Sequence, residues 1–315
     1  MLDNILFGID CGATKVMAQS AFYNKRSNVI SPGKENLEFN YSDSINWNSY
    51  FTPKSIETQK NELNYGKIKI GKDEKKQAKV IIETIKLALS KIKSKNYGIC
   101  YPGIKDDKGI VLMANGPRIV DFFQRFPMIE SLYDDSYCCL MGEINSSIGR
   151  IKSQKNVMYI GGGTGIADGI IMNNKVINID KCPSLKKSWQ ILINSKETIE
   201  SCLSPNGILQ KWNNKNSDKI YSLFDLEKVP ESFPLFKDAS QAFAKLIKDR
   251  IKFFKNHSYD LKKVIIGQRL GVFLKSCKPH IQDLFQMKSE IPIDYSSDRR
   301  VAALGAAWIK VCSQK

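Results

Sequence analysis

Two short apolar runs, each followed by a turn of small residues, divide the chain into similar halves. Residues 5–10 form the first run, and VMAQSAFY follows the turn CGATK, which predicts a buried strand, a tight turn and the second strand of a hairpin. Residues 156–161 repeat this order with the turn GGGTGIADG and the run IIMNNKVIN. At roughly 150 residues per domain, the length of 315 residues agrees with two domains.

Helical and strand periodicities alternate along the rest of the chain, which predicts an α/β fold. From residue 73 to residue 93, apolar side chains recur every three or four positions, as in an amphipathic helix. Residues 31–65 are rich in Asn, Ser and Pro, and predict loops with one short strand near 37–39. The other predicted elements are strands in YGICYPG, GIVLMA and KKVIIG, a helix start at EINSSIGR, and helices at 196–202, 210–212, 239–255 and VAALGAAWIKV.

The chain carries a formal net charge of +16, from 48 Lys and Arg against 32 Asp and Glu. Of these 48 basic residues only 8 are Arg, whereas base readout and phosphate clamping favour Arg. The charge therefore predicts a Lys-rich solvated surface and disfavours a nucleic-acid partner. The alternative is that the positive field attracts an anionic substrate such as a nucleotide.

Cysteine usage and hydropathy favour a cytoplasmic protein that does not enter a membrane. The eight cysteines show no CxxC spacing, and the two histidines form no Cys/His cluster with them at zinc-ligand spacing. Reduced thiols in apolar surroundings are the simplest account of these cysteines. No run approaches about 18 apolar residues, and the start MLDNILFGIDCG lacks a signal-peptide pattern.

The two small-residue turns have the composition of phosphate-binding loops, although a lone Gly-rich turn is usually only a turn. Backbone N–H groups can approach a phosphate closely only where side chains are small. The first turn offers Gly12, Thr14 and Lys15, and the second offers a deeper cradle at 161–165. Asp10, at a strand end, is suited to hold a hydrated Mg²⁺. Neither turn matches GxxxxGK[ST] or the dinucleotide fingerprint, which disfavours a P-loop enzyme and a Rossmann dehydrogenase.

An ordered set of motifs covers the chain from about residue 6 to residue 310: IDCGATK, YPGIKDDKGIVLMANGP, MGEINSSIG, IGGGTGIADGIIMNNKVI, IGQRLG and VAALGAAWI. This set resembles the sugar kinases of the ROK family (repressor, open reading frame, kinase) within the actin-like ATPase superfamily. The resemblance implies a two-lobed actin-like ATPase (ribonuclease H-like) α/β fold, with a mixed β-sheet in each lobe and a cleft between them. The implied N-terminal lobe is 1–118, completed by a helix at 298–315, and the C-terminal lobe with the nucleotide site is 119–297.

The resemblance also implies ATP, Mg²⁺ and a sugar as ligands, and it assigns residues to each. The residues on the phosphates and the hydrated metal are those of the two turns: Asp10, Gly12, Thr14, Lys15, Gly163, Thr164 and Gly165. The residues on the adenosine side are Ser204, Gly207, Gly267, Arg269 and Gly271. The residues near the sugar are Gly103, Asn115, Gly116 and Asn145.

The chain departs from the family pattern at the catalytic base, which the family places as Asp in an Asn-Asp-Ala-Asn tetrad. The matching tetrad in this sequence is Gly142-Glu143-Ile144-Asn145, so Glu143 is the predicted general base. General-base assistance is worth about 10²–10⁴-fold, and the extra methylene of Glu requires a shifted pocket. The alternative is that Glu143 is a surface or helix-capping carboxylate in a protein that has lost activity.

A second departure follows the second turn, where many ROK kinases carry a Glu, a His and a Cys-rich zinc motif. This chain has KCPSLKKSWQIL instead, which predicts that zinc is absent. Lys186, Lys187 and Trp189 can face a different or acidic sugar, or can simply be solvated or packed.

These features favour an ATP-dependent carbohydrate kinase over three alternatives. Loss of the Asp base and of the zinc motif would suit a sugar-binding sensor without chemistry. An actin-like ATPase would use Glu143 to position water. A DNA-binding repressor is disfavoured because the first strand begins near residue 5, which leaves no room for a helix-turn-helix. Homodimers are common in the family, but no residue pattern specifies one.

Overall fold

The computed structural model describes residues 5–92 and 94–314, and the chain divides into two compact units. Unit 1 comprises Met1–Ile148 and Arg300–Lys315, and unit 2 comprises Gly149–Arg299. The boundary therefore lies at Ile148 and not near residue 118. The physical reason is that the segment after residue 118 adds a strand to the sheet of unit 1 and a helix that packs beside it.

The elements alternate as the periodicity predicts, and within the described residues no helix has both the length and the apolar composition of a membrane span. The strands are β1 (Leu6–Cys11), β2 (Lys15–Asn24), β3 (Val29–Asn40), β4 (Tyr97–Tyr101), β5 (Ile104–Lys105), β6 (Ile110–Leu112), β7 (Tyr133–Asp134), β8 (Val157–Gly162), β9 (Ile166–Met172), β10 (Lys175–Val176), β11 (Lys263–Gly267) and β12 (Ile293–Tyr295). The α-helices are α1 (Ile56–Asn64), α2 (Lys72–Lys91), α3 (Phe122–Arg125), α4 (Asp135–Asn145), α5 (Ile199–Leu203), α6 (Pro205–Lys215), α7 (Leu223–Leu226), α8 (Phe233–Asn256), α9 (Gln268–Ser276), α10 (Pro279–Gln286) and α11 (Val301–Ser313).

The two units share one sheet plan, which confirms the predicted mixed sheet opening in a hairpin in each half. The strand order is β3-β2-β1-β4-β7 in unit 1 and β10-β9-β8-β11-β12 in unit 2. In each sheet the hairpin is antiparallel, one later strand pairs in parallel with its first strand, and a second later strand pairs in parallel with that one. Each small-residue turn therefore lies at the carboxyl ends of the parallel strands, the edge where open α/β sheets bind ligands.

The strand β3 is longer than the sequence pattern predicts. Residues 31–65 were expected to form loops with a short strand near 37–39, but β3 runs over Val29–Asn40 and pairs with β2 along its length. Its side chains are mostly half-buried or exposed, because it is an edge strand held by main-chain bonds and by polar side chains. Gln19, which is fully buried on β2, donates to the Gly33 carbonyl and accepts from the Asn36 amide group. An edge strand of this kind carries no hydrophobic alternation.

The helix α4 begins earlier than predicted. The sequence pattern placed a helix start at EINSSIGR, but α4 spans Asp135–Asn145 and ends inside that motif. Asp134 is its N-cap, since its carboxylate accepts the Tyr137 backbone N–H at 3.0 Å. The apolar run between this cap and the motif EINSSIGR is therefore the buried face of α4.

The helix α11 belongs to unit 1 and packs directly on backbone. A Cβ added at Gly8 of β1 would lie 1.7 Å from the Ala303 carbonyl oxygen, and one at Gly305 would lie 1.8 Å from the Cys138 carbonyl oxygen of α4. Only glycine allows these approaches. The small residues of AALGAAW therefore seat α11 against both β1 and α4, as the sequence predicted for a close-packed terminal helix.

Candidate functional site

The turn between β1 and β2 is held in shape by its own backbone and by Tyr41. The Gly12 N–H donates to the Lys15 carbonyl at 3.0 Å, and the Tyr41 hydroxyl donates to the Gly12 carbonyl at 3.0 Å. The Tyr41 N–H donates to the Thr14 carbonyl at 3.0 Å, while the Thr14 side chain is exposed. The turn is thereby fixed from both sides, with Gly12 and Thr14 together as predicted from the sequence.

Lys15 lies on this turn, but its charge is already neutralised. Its ammonium forms a salt bridge with Glu38 on β3, and the Lys15 side chain is largely buried. Glu38 already takes one of its three N–H donors and offsets its charge, which weakens the attraction of Lys15 for a phosphate. The first turn therefore offers backbone and hydroxyl groups in preference to a cation.

Carboxylates gather beside the first turn, at the carboxyl ends of β1, β4 and β7. Asp10 of β1 is paired in register with Cys100 of β4, which is paired with Tyr133 of β7. Strands lie about 4.8 Å apart, so Asp10 and Tyr133 are separated by roughly 10 Å of sheet. The next two residues, Asp134 and Asp135, end β7 and begin α4. One sheet edge thus presents Asp10 together with both aspartates.

Asp135 has the electrostatic character of a proton acceptor that works near neutral pH. The pKa of this half-buried carboxyl is raised to about 7, chiefly by burial and also by the nearby charges of Asp134 and Asp10, against the opposing effect of Lys105. General bases are most effective when their pKa lies near the working pH. The Cys100 thiol contacts the other carboxylate, since its Sγ lies 3.6 Å from Asp10 Oδ1.

Sequence reasoning missed Asp135 because it aligned the family tetrad to residues 142–145. The tetrad also fits eight residues earlier. Asp134-Asp135-Ser136-Tyr137 then occupies the Asn-Asp-Ala-Asn positions, with Asp135 in the place of the family's Asp. The signal available in the sequence was the Asp pair itself, because Asp at an N-cap followed by an apolar helical run marks a helix start.

Glu143, the base predicted from the sequence, has a different setting. It lies in the last turns of α4, its side chain is 0% exposed, and the neighbouring Gly142 lies against the Val301 backbone of α11. Glu143 is therefore neither a surface carboxylate nor a cap at the helix start. Its carboxylate is closed to solvent, so a substrate hydroxyl has no access to it in this structure.

The predicted sugar residues of unit 1 lie on exposed loop positions and at a helix end. Gly103 follows β4 with φ +90°, a conformation that favours glycine, and a Cβ there would lie 2.6 Å from the Leu112 carbonyl oxygen. Asn115 is exposed and Gly116 half-buried in the loop after β6. Asn145 ends α4, where its amide group donates to the Met141 carbonyl at 3.1 Å.

The turn between β8 and β9 in unit 2 is more open. The Gly163 N–H donates to the Gly165 carbonyl at 2.9 Å, and a Cβ at Gly163 would meet no atom within 4 Å. The start of α6 lies beside it, because the Asn206 N–H donates to the Gly163 carbonyl at 3.3 Å. Ser204 caps that helix by accepting the Gly207 N–H at 3.0 Å.

The side chain of one arginine, Arg269, contacts this second turn. Arg269, at the start of α9, donates from Nη2 to Thr164 Oγ1 at 3.2 Å. Burial, and then the like charge of Arg299, lowers the pKa of Arg269. A guanidinium beside a Gly-rich turn, with a like charge near enough to destabilise it, forms a setting that an anion would stabilise.

Beside the second turn, two glycines of β11 and α9 pack so closely on their neighbours that there is no space for a larger side chain. A Cβ at Gly267 would lie 2.5 Å from the Tyr159 hydroxyl, and one at Gly271 would lie 2.3 Å from the Ile266 carbonyl oxygen. Gln268 between them has a left-handed φ of 59° and bridges to Gly162. Of the residues predicted on the adenosine side, Gly267, Arg269 and Gly271 thus lie on one strand-to-helix turn, whereas Ser204 and Gly207 lie at the start of α6.

The segment that replaces the family's zinc motif is anchored from inside unit 2. The fully buried Arg250 of α8 donates to the Lys186 carbonyl at 2.7 Å, and the Asp168 carboxylate of β9 accepts the Ser188 N–H at 2.7 Å. Lys186 itself is exposed, and Lys187 and Trp189 are half-buried. Within residues 5–92 and 94–314, no group of three or more His, Cys, Asp or Glu side chains is arranged to hold a metal ion.

Comparisons with known proteins find similar structures without similar sequences. No protein-family model and no curated protein sequence matches the chain. A ROK hexokinase from Thermus thermophilus is 14% identical with a TM-score of 0.61, covering 98% of this chain and 99% of that chain. A ROK family glucokinase from Streptomyces griseus, in complex with glucose and AMPPNP, is 16% identical with a TM-score of 0.60, covering 97% and 99%.

A ROK family transcriptional regulator, a homologue of the E. coli MLC protein, has the same fold. It is 12% identical with a TM-score of 0.58, covering 98% of this chain and 78% of that chain. Identities this low establish the fold alone. The chain therefore has the α/β fold with a mixed sheet in each half that ROK kinases and actin-like ATPases share, which confirms the predicted fold class.

Proposed function

We propose that this protein is an ATP-dependent kinase that phosphorylates a hydroxyl group of a sugar or sugar derivative. The observation that carries the proposal is the pairing of Asp10 and Asp135 at one sheet edge of unit 1. One carboxylate suits a hydrated cation and the other suits proton transfer, which are the two tasks that phosphoryl transfer to an alcohol requires. The shared fold with solved ROK sugar kinases supports the same assignment.

Asp135 is the proposed general base, in place of Glu143. Its half-buried carboxylate accepts the proton of the sugar hydroxyl as that oxygen attacks the γ-phosphoryl group, and its pKa of about 7 makes it basic enough to do so. Its position at the start of α4, capped by Asp134, fixes the carboxylate relative to β1. Glu143, by contrast, is enclosed between α4 and its neighbours.

Each small-residue turn is a proposed phosphate-binding loop. In unit 1 the first turn offers the backbone around Gly12 and the exposed Thr14 hydroxyl. In unit 2 the turn at 163–165 offers an open backbone, Thr164 and the guanidinium of Arg269. Ser204, Gly207, Gly267 and Gly271 shape the adjoining surface on which the adenosine is proposed to lie.

Asp10 is the proposed holder of Mg²⁺, through water. Mg²⁺ keeps most of its waters and takes only one or two carboxylates, so a single carboxylate at a strand end is a sufficient protein ligand. When bound, Mg²⁺ neutralises the charge of the phosphate oxygens. Asp10, at the end of β1 beside Cys100, presents a carboxylate whose position is set by the parallel pairing with β4.

The sugar is the proposed ligand of Gly103, Asn115, Gly116 and Asn145, with Asn115 donating to or accepting from its hydroxyl groups. The segment around Lys186 takes the place of the zinc motif, and its exposed lysine favours a sugar that carries a negative charge.

The test is a coupled assay of ATP consumption over neutral hexoses, N-acetylhexosamines and sugar acids. We expect sugar-dependent turnover by the wild-type protein with at least one of these, and its loss in Asp135→Asn. The proposal fails if wild type and Asp135→Asn consume ATP equally with every sugar.

The regulator of the same fold supports a second candidate, a sugar-binding protein that performs no chemistry. Calorimetry separates the two: tight sugar binding with no nucleotide binding favours the sensor. ATP turnover that does not depend on sugar would instead favour an actin-like ATPase.

A further inference from the structure

The loop after β6, which carries Asn115 and Gly116, is attached at its first residue to α1. Gln59 of α1 is 0% exposed, and its side chain makes two bonds to the backbone of one residue. Its Nε2 donates to the Met113 carbonyl at 2.8 Å, and its Oε1 accepts the Met113 N–H at 2.8 Å. The side-chain amide of Gln59 thus bonds both backbone groups of Met113, as a neighbouring strand would. The chain enters the exposed loop from a fixed point.

The same loop is attached at its last residue through Arg118. This guanidinium is buried, with a relative exposure of 1%, and it forms a forked pair with Glu74 of α2: Nε to Oε1 at 2.8 Å and Nη2 to Oε2 at 3.0 Å. Its Nη1 donates to Glu62 of α1 at 2.6 Å. The Arg118 backbone N–H also donates to Glu74 Oε1, at 3.0 Å, so one carboxylate binds both backbone and side chain.

The charges of this cluster balance. Two carboxylates, Glu62 and Glu74, face the Arg118 guanidinium and the Lys54 ammonium, which forms a salt bridge with Glu62. Burial alone would raise the pKa of Glu62, but the hydrogen bonds from Lys54 and Arg118 outweigh it and lower that pKa to about 2. Buried ion pairs add little net stability compared with apolar side chains of similar volume. What such a cluster provides is a fixed geometry.

We propose that Arg118 and Gln59 are positioning residues that hold Asn115 and Gly116 in the conformation that receives the sugar. This inference rests on the proposed function. The two anchors lie at the ends of the loop, and the side chain of Asn115 between them is exposed. The anchors do not touch the substrate. They act by removing loop conformations that binding would otherwise have to select.

The test compares substitutions in the anchors with a matched one on the same helix. Arg118→Lys and Glu74→Gln each break the forked pair, because Lys cannot donate two parallel bonds. Gln59→Leu removes the other anchor. Glu83→Gln is the control, since Glu83 is an exposed residue of α2 that pairs with Lys79.

Hydrogen exchange of the amides at residues 114–116 is the first readout. We expect exchange about tenfold faster in the three anchor variants, with unchanged exchange in β1 and α4, and no change in the control. Unchanged exchange at 114–116 in Gln59→Leu and Arg118→Lys would overturn the inference, as would faster exchange throughout unit 1. This readout needs no substrate, so it decides the inference even if the protein phosphorylates no sugar.

Steady-state kinetics is the second readout, with any sugar that the wild type accepts. We expect kcat/KM for the sugar to fall about 10²-fold in Arg118→Lys, mainly through KM, since misplacement of about 1 Å has this effect. The KM for ATP should stay at its wild-type value. Equal changes in both KM values would indicate general loosening of the protein and would contradict a positioning role.

Discussion

The two hairpin turns have the same place in their sheets but opposite electrostatic surroundings. The turn of β1 and β2 lies beside Asp10, Asp134 and Asp135, and its lysine is neutralised by Glu38. The turn of β8 and β9 lies beside Arg269, close to the like charge of Arg299. A repeated backbone plan therefore carries two different chemistries: the first suits a cation and a departing proton, and the second suits phosphate anions.

Removing the proposed base, Asp135, should cause the largest loss of activity and so tests the role given to the first turn. Asp135→Asn keeps the size of the side chain but cannot accept a proton, so we expect kcat to fall about 10²–10⁴-fold. Sugar-dependent ATP consumption under saturating substrates measures it. Glu143→Gln should lower kcat far less. The reverse order, with Glu143→Gln the more damaging, would restore Glu143 as the base and contradict the assignment.

Removing the cation of the second turn should have the next largest effect. Arg269→Met deletes the guanidinium that contacts Thr164 and keeps an unbranched apolar stem. We expect the KM for ATP to rise about 10- to 100-fold, since hydrogen bonds to charged groups are worth about 1.5–3 kcal/mol. Calorimetric titration with ATP and Mg²⁺ checks the same change without turnover. An unchanged ATP affinity would show that the phosphates lie elsewhere.

Protonation of Asp135 should appear in the pH dependence of stability. Its pKa is raised from 3.8 to about 7 in the folded protein, so between these values the folded state holds a proton that the unfolded state has lost. Stability contributed by this group therefore decreases as pH rises through that window. Thermal unfolding in EDTA without nucleotide, at closely spaced pH values, should show a smaller decrease for Asp135→Asn than for wild type.

The control for this measurement is Asp121→Asn, an exposed aspartate that pairs with Arg125. It should keep the wild-type pH dependence. Identical slopes for wild type and Asp135→Asn would mean that Asp135 titrates normally, and would remove the electrostatic support for its role.

Removing the cation of the first turn should have the smallest effect. Lys15→Met takes away a lysine that is already paired with the half-exposed Glu38, so the phosphates lose little attraction. We expect the KM for ATP to change less than about fivefold, equivalent to about 1 kcal/mol. The same ATP titration that measures Arg269→Met checks it. A change as large as that of Arg269→Met would erase the proposed difference between the turns.

Local patterns made the hairpins and the long helices predictable, whereas contacts between distant residues were not. The helices α2 and α8 follow the predicted segments 73–93 and 239–255, because their apolar periodicity is strong. Only the part of β3 near 37–39 was predicted, because the rest of this edge strand lacks a clear alternation of buried and exposed side chains. Lys15 and Glu38 are 23 residues apart, and Arg118 and Glu74 are 44 apart, so no local spacing reveals either pair.

The sequence alone singled out the glycines and Asp10 of the candidate site, but it did not single out Asp135, the proposed base. Small residues at a strand end restrict the backbone strongly enough to be recognised from the letters alone. Asp135 depends on where α4 begins, and a helix boundary is fixed by the cap at Asp134, which a search for the family tetrad passed over.

Because α11 packs on the glycine of β1 and against α4, the folding of unit 1 depends on the last part of the chain to be synthesised. Unit 1 is interrupted in sequence by the whole of unit 2, and the helix that covers Gly8 is translated only after residue 300. On the ribosome, unit 2 has its complete sequence first, whereas the amino-terminal segment must wait with an apolar face uncovered. Unit 1 can therefore complete its packing only after unit 2 has been synthesised, which reverses the usual amino-to-carboxyl order of domain folding.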